Sequence, residues 1–223
     1  KTVRVSVPGS KSITARAMLI SAISRGTSTL YNAQYSDDCA TFLKCLENLG
    51  IGCIRQGNTL HIEGCGGKLS KKSAELNVGS AGTAARFLPA FLAFQDGEYF
   101  LDCSPQMKKR PIAPLIEALK SLGARFEFLN GENCYPFIIK GARNANTCIE
   151  VDISKSSQYL SALLISAVCA GRKMKICANG EHGADYIHMT ENIMWSFGAD
   201  VKECARTYEV EGEYSPKRYH IEP

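Results

Sequence analysis

The stretch DDCATFLKCLENLGIGCIRQGNTLHIEG, residues 37–64, decides the fold expected for this chain. Its first half places apolar residues three and four positions apart with charges between them, which is typical of a half-exposed helix, and this helix ends at Gly50. Its second half contains two short strands, 52–56 and 59–64, joined by the turn residues Gly57-Asn58. The stretch therefore predicts a helix followed by a β-hairpin.

The same pattern of a helix that ends at a glycine occurs three times, at Gly50, Gly123 and Gly198, which are 73 and 75 residues apart. A strand, a helix and a further strand precede each occurrence, so each unit has the order βαβαββ; the first strand of the first unit is VRVSV at 3–7. No segment rich in Pro, Gly or Ser separates the units. The sequence therefore predicts an α/β (α+β) fold in a single domain, 1–223, with repeats at about 1–66, 67–141 and 142–223.

The first helix of each unit differs from the second. It is apolar nearly all round, as in ARAMLISAIS (15–24), AARFLPAFLAF (84–94) and QYLSALLISAVCA (158–170). Such helices are buried among other elements, whereas the second helices carry charges on one face. We expect three buried, parallel helices surrounded by sheets and outer helices, with their N-termini at one end of the domain.

Those three N-termini are rich in hydroxyl groups, glycine and lysine: Ser10-Lys11-Ser12, 79–83 and 154–158. A helix N-terminus offers unpaired N–H groups and a partial positive charge, which suit an anion. A phosphate-binding P-loop is excluded, since only Gly9 is present where two glycines are needed. The alternatives are a shared site for a polyol with anionic groups and three ordinary helix caps with a solvated lysine.

Composition limits the class of protein. An apolar content of 45%, a charged content of 22% and a net charge of +4 are ordinary for a globular domain and do not indicate a nucleic-acid binder. The longest apolar stretch, 159–170, is too short to cross a bilayer, and no signal peptide is visible. The ten cysteines are scattered, without a C-x-x-C pair, so we expect reduced thiols, no metal and a cytoplasmic location.

Five motifs, in this order and spacing, resemble those of the 5-enolpyruvylshikimate-3-phosphate synthases, the 3-phosphoshikimate 1-carboxyvinyltransferases of the shikimate pathway. They are PGSKSITAR (8–16), SDD (36–38), GSAGTAARF (79–87), KKRPIAPLIEAL (108–119) and SSQYLSALL (156–164). The family consists of two domains, each of three βαβαββ repeats, with the active site between them. This chain resembles only the domain that mainly holds shikimate 3-phosphate.

The resemblance implies a function for the complete enzyme. It transfers the carboxyvinyl group of phosphoenolpyruvate to the 5-hydroxyl of shikimate 3-phosphate and releases phosphate, with no metal or organic cofactor. The acidic catalytic groups belong to the second domain, which is absent here. We therefore expect a partial enzyme, inactive alone, with that domain and the two substrates as its partners, and a monomer.

Individual roles carry over to matching positions. For shikimate 3-phosphate the resemblance implies the ligands Lys11, Ser12, Arg16, Ser156, Ser157, Gln158 and Tyr186; for phosphoenolpyruvate it implies Lys11, Gly82, Arg110 and Gln158. Ser12 and Arg16 are four residues apart and share a helix face. A guanidinium such as that of Arg110 suits phosphate or carboxylate because it donates in a bidentate fork. A core position remains the alternative for Tyr186.

The chain departs from the family pattern at several positions. Ser80 stands where many members have asparagine, and Phe87 stands where many have proline, which can shift the helix that follows Gly82. Gly183 stands where a serine often contacts the phosphate, so that contact is lost unless His182 replaces it.

Two other functions remain as alternatives. One is the related enolpyruvyl transferase that acts on UDP-N-acetylglucosamine, which usually has a cysteine where this chain has Pro105. The other is a domain that binds a ligand without catalysis.

Overall fold

Alternating apolar residues and long apolar helices produce a layered α/β arrangement in the computed structural model, which describes residues 7–142 and 146–223. Within those ranges there are seven α-helices: α1 (Lys11–Ile23), α2 (Asp37–Asn48), α3 (Ala84–Leu92), α4 (Pro105–Lys108), α5 (Ala113–Leu122), α6 (Gln158–Ala167) and α7 (Ala184–Ser196). A 3₁₀ turn, Val168–Ala170, extends α6.

The strands form three sheets of four. They are β1 (Arg25–Tyr31), β2 (Gly52–Gln56), β3 (Thr59–Cys65), β4 (Ser73–Asn77), β5 (Glu98–Asp102), β6 (Arg125–Phe128), β7 (Phe137–Lys140), β8 (Cys148–Asp152), β9 (Met174–Asn179), β10 (Asp200–Cys204), β11 (Thr207–Glu211) and β12 (Arg218–His220). The sheet orders are β12-β1-β3-β2, β4-β5-β7-β6 and β8-β9-β11-β10. Each sheet has one parallel pair followed by two antiparallel pairs. The second and third sheets confirm the predicted βαβαββ order, and in the first sheet β12 takes the position that β4 and β8 have in the other two.

The first sheet contains a strand that the sequence did not predict. Of the strand expected at 3–7, residues 3–6 lie outside the described residues, so the prediction is untested there, and Val7 is not in a strand. Among the described residues the parallel partner of β1 is β12, with Thr29 opposite Arg218. A parallel partner is brought in from a distant part of the sequence, and three residues of strand carry too little periodicity to be recognised.

The connections follow the predicted turns only in part. Gly57 and Asn58 form the two-residue turn between β2 and β3, as expected, because Gln56 pairs with Thr59. The sequence also predicts turn residues at Asn130-Gly131 between two strands, but the connection between β6 and β7 is longer and runs over 129–136. Helix α4 was not expected; it begins at Pro105, and proline suits the first position of a helix because its ring fixes φ near the helical value.

The core surrounds α1, α3 and α6, the helices predicted to be buried. All nine residues of α3 are buried, and nine of the ten residues of α6 are buried. The guanidinium of Arg16 in α1 lies 5.6 Å from the ring centre of Phe87 in α3 and donates to Ser161 in α6. Since these residues lie in the first two turns of their helices, the three N-termini meet at one end of the core. Within the described ranges, the helices are too short or too polar to span a bilayer.

Candidate functional site

The N-terminus of α1 presents a lysine held by a carboxylate. Ser10 caps the helix, because its hydroxyl accepts from the backbone N–H of Ile13 at 3.5 Å. Lys11 is not simply a solvated charge, since its Nζ lies 2.9 Å from Oδ2 of Asp38 in the SDD motif. The hydrogen bond to Asp38 raises the pKa of Lys11, against the opposing effect of partial burial. With half of its side chain exposed, Lys11 keeps a fixed positive charge within reach of an anion.

Arg16 lies one turn further into α1 and is 2% exposed. Its Nε donates to Thr190 Oγ1 at 2.7 Å, and its two Nη atoms donate to Ser161 Oγ (3.2 Å) and to the carbonyls of Ser12 (3.1 Å) and Tyr186 (3.3 Å). Burial lowers the pKa of Arg16 to about 10, so the group stays charged at neutral pH. Four of its five N–H groups have partners among the described residues, which leaves one for the predicted contact with a ligand.

The start of α6 brings the predicted serines and glutamine together. Ser156 Oγ accepts from the backbone N–H of Gln158 at 3.2 Å and so caps the first turn. Ser157 is 4% exposed, whereas Ser156 and Gln158 are half-buried. The position of the three residues at a helix N-terminus suits an anion, although their role as ligands stays a prediction.

The loop before α7 explains one departure from the family pattern. Gly183 has a φ of +56°, and a Cβ there would lie 2.7 Å from Ser157 Oγ, so a serine at this position requires a local rearrangement. His182 is exposed. Tyr186 is 48% exposed and its ring centre lies 5.8 Å from Cζ of Arg16, so the core position considered for this tyrosine was wrong. His182 and Gly183 border a cavity of about 410 Å³ that Arg206 also lines.

The structure brings Gly82 and Arg110 together. A Cβ at Gly82 would lie only 2.8 Å from an Nη atom of Arg110, so the guanidinium packs directly on the glycine backbone. Ser104 caps α4 and also bonds to Ser80, with 2.8 Å between the hydroxyl oxygens. Because α4 leads directly into Arg110, the Ser80–Ser104 contact connects the loop before Gly82 to the segment that carries the arginine.

Arg86 is a component of the site that the sequence analysis missed. It is 3% exposed and donates to the carbonyls of Gly82 (3.2 Å) and Pro111 (3.0 Å). Burial first, and then the neighbouring charge of Arg110, lower the pKa of Arg86. A signal was present, because Arg86 follows Gly82 by four residues as Arg16 follows Ser12.

The charges at this end of the core are mainly positive. Among the described residues, Arg110 and Lys155 make no ion pair and are exposed. Lys155 lines a groove of about 750 Å³ together with Pro111, Asp152 and Asn179. No three His, Cys, Asp or Glu side chains in the described ranges lie close enough to hold a metal ion. The arrangement can bind anions and orient them, through helix N-termini, lysine and arginine.

Comparison with known proteins gives the family. The family model described as EPSP synthase (3-phosphoshikimate 1-carboxyvinyltransferase) matches residues 2–223. The 3-phosphoshikimate 1-carboxyvinyltransferase of Trichormus variabilis is 38% identical over 225 residues, which cover 98% of this chain and 53% of that protein. The enzyme of the same name from Vibrio atlanticus is 41% identical over 201 residues, 88% of this chain and 47% of that protein.

Solved structures show the same fold. EPSP synthase from Acinetobacter baumannii superposes with a TM-score of 0.85 at 22% identity, and the match covers 97% of this chain and 49% of that one. The chain thus spans about half the length of the relatives it matches. With the family model matched over nearly its full length, this chain belongs to the EPSP synthase family.

Proposed function

We propose that this chain binds shikimate 3-phosphate, and part of phosphoenolpyruvate, as one half of a 3-phosphoshikimate 1-carboxyvinyltransferase. The observation that carries the proposal is the meeting of the three helix N-termini at one end of the core, with Lys11 and Arg110 exposed there. Both substrates are anions, and an end of the molecule built from cations and N-terminal helix dipoles suits them.

The ligand roles form two groups. Shikimate 3-phosphate would contact Lys11, Ser12, Arg16, Ser156, Ser157, Gln158 and Tyr186, and phosphoenolpyruvate would contact Lys11, Gly82, Arg110 and Gln158. Support for the second group comes from the packing of Arg110 on Gly82, because a glycine lets the guanidinium, which suits a phosphate or carboxylate, lie directly against the backbone. Support for Lys11 comes from its ion pair, which holds the ammonium group at the helix N-terminus.

The reaction proposed for the complete enzyme places specific demands on this half. The 5-hydroxyl gives up its proton as its oxygen adds to the enol carbon of phosphoenolpyruvate, and the methylene carbon gains a proton and becomes a methyl group. The adduct then loses one proton from that methyl group together with phosphate, which restores the double bond. Bringing two polyanions together is costly in water, so fixed cations and dipoles contribute by positioning and by neutralising charge. The proton transfers are assigned to the second domain, and this chain alone is expected to be inactive.

A cytoplasmic location and a monomeric state belong to the same proposal. All ten cysteines are free, at buried, half-buried and exposed positions, and free thiols persist in a reducing compartment.

Isothermal titration of the 223-residue chain tests the proposal. We expect heat with shikimate 3-phosphate and none with UDP-N-acetylglucosamine. Heat with the UDP-sugar alone would favour the related transferase, and heat with neither would overturn the proposal. Turnover by this chain alone, measured as phosphate release, would contradict the assignment of the proton transfers to the second domain.

A further inference from the structure

Two buried side chains converge on the carbonyl oxygen that directly follows Arg110. Nη2 of Arg86, from α3, donates to the Pro111 carbonyl at 3.0 Å, and the hydroxyl of Tyr159, from α6, donates to the same oxygen at 2.7 Å. A carbonyl oxygen has two lone pairs, so both acceptor positions of Pro111 are occupied. Arg86 is 3% exposed and Tyr159 is fully buried.

Arg86 also contacts two further segments, the one that contains Gly82 and helix α4. Its Nη1 donates to the Gly82 carbonyl at 3.2 Å and lies 3.0 Å from Sδ of Met107 in α4. Met107 in turn accepts the backbone N–H of Arg110 at 2.9 Å. One guanidinium therefore connects the glycine, the short helix and the residue after Arg110.

Stability alone accounts poorly for this arrangement. The Nε of Arg86 is buried and has no partner in the described part of the chain, and a second cation, Arg110, lies close by. An unpaired buried donor and a like charge both destabilise the folded chain. Both costs fall at a point where the positive charge would act on an anion beside Gly82.

We propose that Arg86 and Tyr159 are positioning residues, which hold the Pro111 carbonyl and thereby fix the Arg110 guanidinium against Gly82 for phosphoenolpyruvate. The inference rests on the proposed function, because it assigns a purpose to the position of Arg110. Neither residue contacts the substrate in this proposal. A displacement of about 1 Å in such a group is enough to weaken binding and catalysis strongly.

Tyr159→Phe tests the inference, since it removes one hydroxyl and keeps the ring in the core. The matched control is Tyr99→Phe: Tyr99 is also fully buried and donates a single hydrogen bond, 2.9 Å long, to the carbonyl of Lys71. Tyr99→Phe loses this one hydrogen bond, whereas Tyr159→Phe loses the bond to Pro111 and the interaction of the same hydroxyl with Arg86. Both variants keep the aromatic ring in the core, and they differ in whether the lost contacts hold the segment that carries Arg110.

Two readouts are needed. The first is hydrogen exchange at the amides of Lys108 and Arg110, which donate to Ser104 and Met107. The second is the affinity for phosphoenolpyruvate at saturating shikimate 3-phosphate, with the affinity for shikimate 3-phosphate as reference. For Tyr159→Phe we expect at least tenfold faster exchange, about fivefold weaker phosphoenolpyruvate binding and an unchanged affinity for shikimate 3-phosphate; for Tyr99→Phe we expect no change in any of them.

Each other outcome is decisive. If Tyr159→Phe matches Tyr99→Phe in exchange or in phosphoenolpyruvate affinity, the positioning role is refuted. If the unmodified chain binds shikimate 3-phosphate but not phosphoenolpyruvate, Arg110 has no ligand to be positioned for, and the inference falls while shikimate 3-phosphate binding stands. If it binds neither, the proposed function fails, and unaltered exchange in Tyr159→Phe would refute the positioning role separately.

Discussion

The starts of α1 and α3 use the same internal arginine but present different surfaces. Arg16 and Arg86 both lie one turn into a buried helix, and each donates to the carbonyl four residues earlier, that of Ser12 or Gly82. The first residue of α1 is Lys11, whereas the segment that leads into α3 contains Gly82.

The difference shows two ways to place a cation at a helix N-terminus. In α1 the exposed charge belongs to the helix, as Lys11, and Asp38 holds it. In α3 the helix contributes only backbone, and the charge arrives from another segment as Arg110, which packs on Gly82. The second arrangement depends on contacts that hold the incoming segment.

The largest expected effect separates the two buried arginines. Arg16→Ala removes four hydrogen bonds and a packed side chain, and we expect it to lower the free energy of unfolding by about 3 kcal/mol. Arg86→Ala also relieves the repulsion from Arg110 and removes an unpaired Nε, so we expect a loss of about 1.5 kcal/mol. Urea unfolding of both variants measures the difference. Equal losses would show that the cost of burying Arg86 has been misjudged.

The repeat could be predicted from the sequence because its signals are local. Helices end at a regular spacing, at Gly50, Gly123 and Gly198, and all three glycines have positive φ angles. Strand β12 and helix α4 escaped prediction because three or four residues have no measurable periodicity, and because the partner of β12 lies far away in the sequence.

The sequence indicated which residues come together in part of the candidate site, but not which hydrogen bonds hold them. The resemblance assigned Gly82 and Arg110 to the same ligand, and the structure brings the two residues into contact, while their role as ligands stays a prediction. The four-residue spacing of Ser12 and Arg16 gives a shared helix face, but it does not tell how many donors of the guanidinium the protein itself uses. Arg86 was missed because nothing in its local sequence shows that the Pro111 carbonyl lies within reach.

The next effect concerns the charge that α1 itself carries. We expect Lys11→Met to weaken shikimate 3-phosphate binding about tenfold, because the cation at the helix N-terminus is lost. The free energy of unfolding should change by less than about 0.5 kcal/mol, since the ion pair with Asp38 is half exposed. Calorimetric titration and urea unfolding measure the two quantities.

A matched control for this lysine exists in the third sheet. Lys202 is likewise exposed and lies 3.0 Å from an aspartate, Asp200, so Lys202→Met removes an equivalent surface pair. The control should bind shikimate 3-phosphate normally. If both variants bind alike, the charge of Lys11 has no specific role and the contrast between α1 and α3 loses its functional meaning.

The smallest expected effect comes from giving α3 the side chain that it lacks. In Gly82→Ala the new methyl group would lie 2.8 Å from Nη1 of Arg110, but that atom is the end of a flexible side chain and can move away. We therefore expect the unfolding free energy to stay within about 0.5 kcal/mol, while phosphoenolpyruvate binding weakens about threefold because the guanidinium is displaced. Shikimate 3-phosphate binding should not change, since Lys11 and the start of α6 are untouched. Titration with each substrate checks this, and an equal loss for both would mean that the methyl group disturbs the end of the core as a whole rather than Arg110.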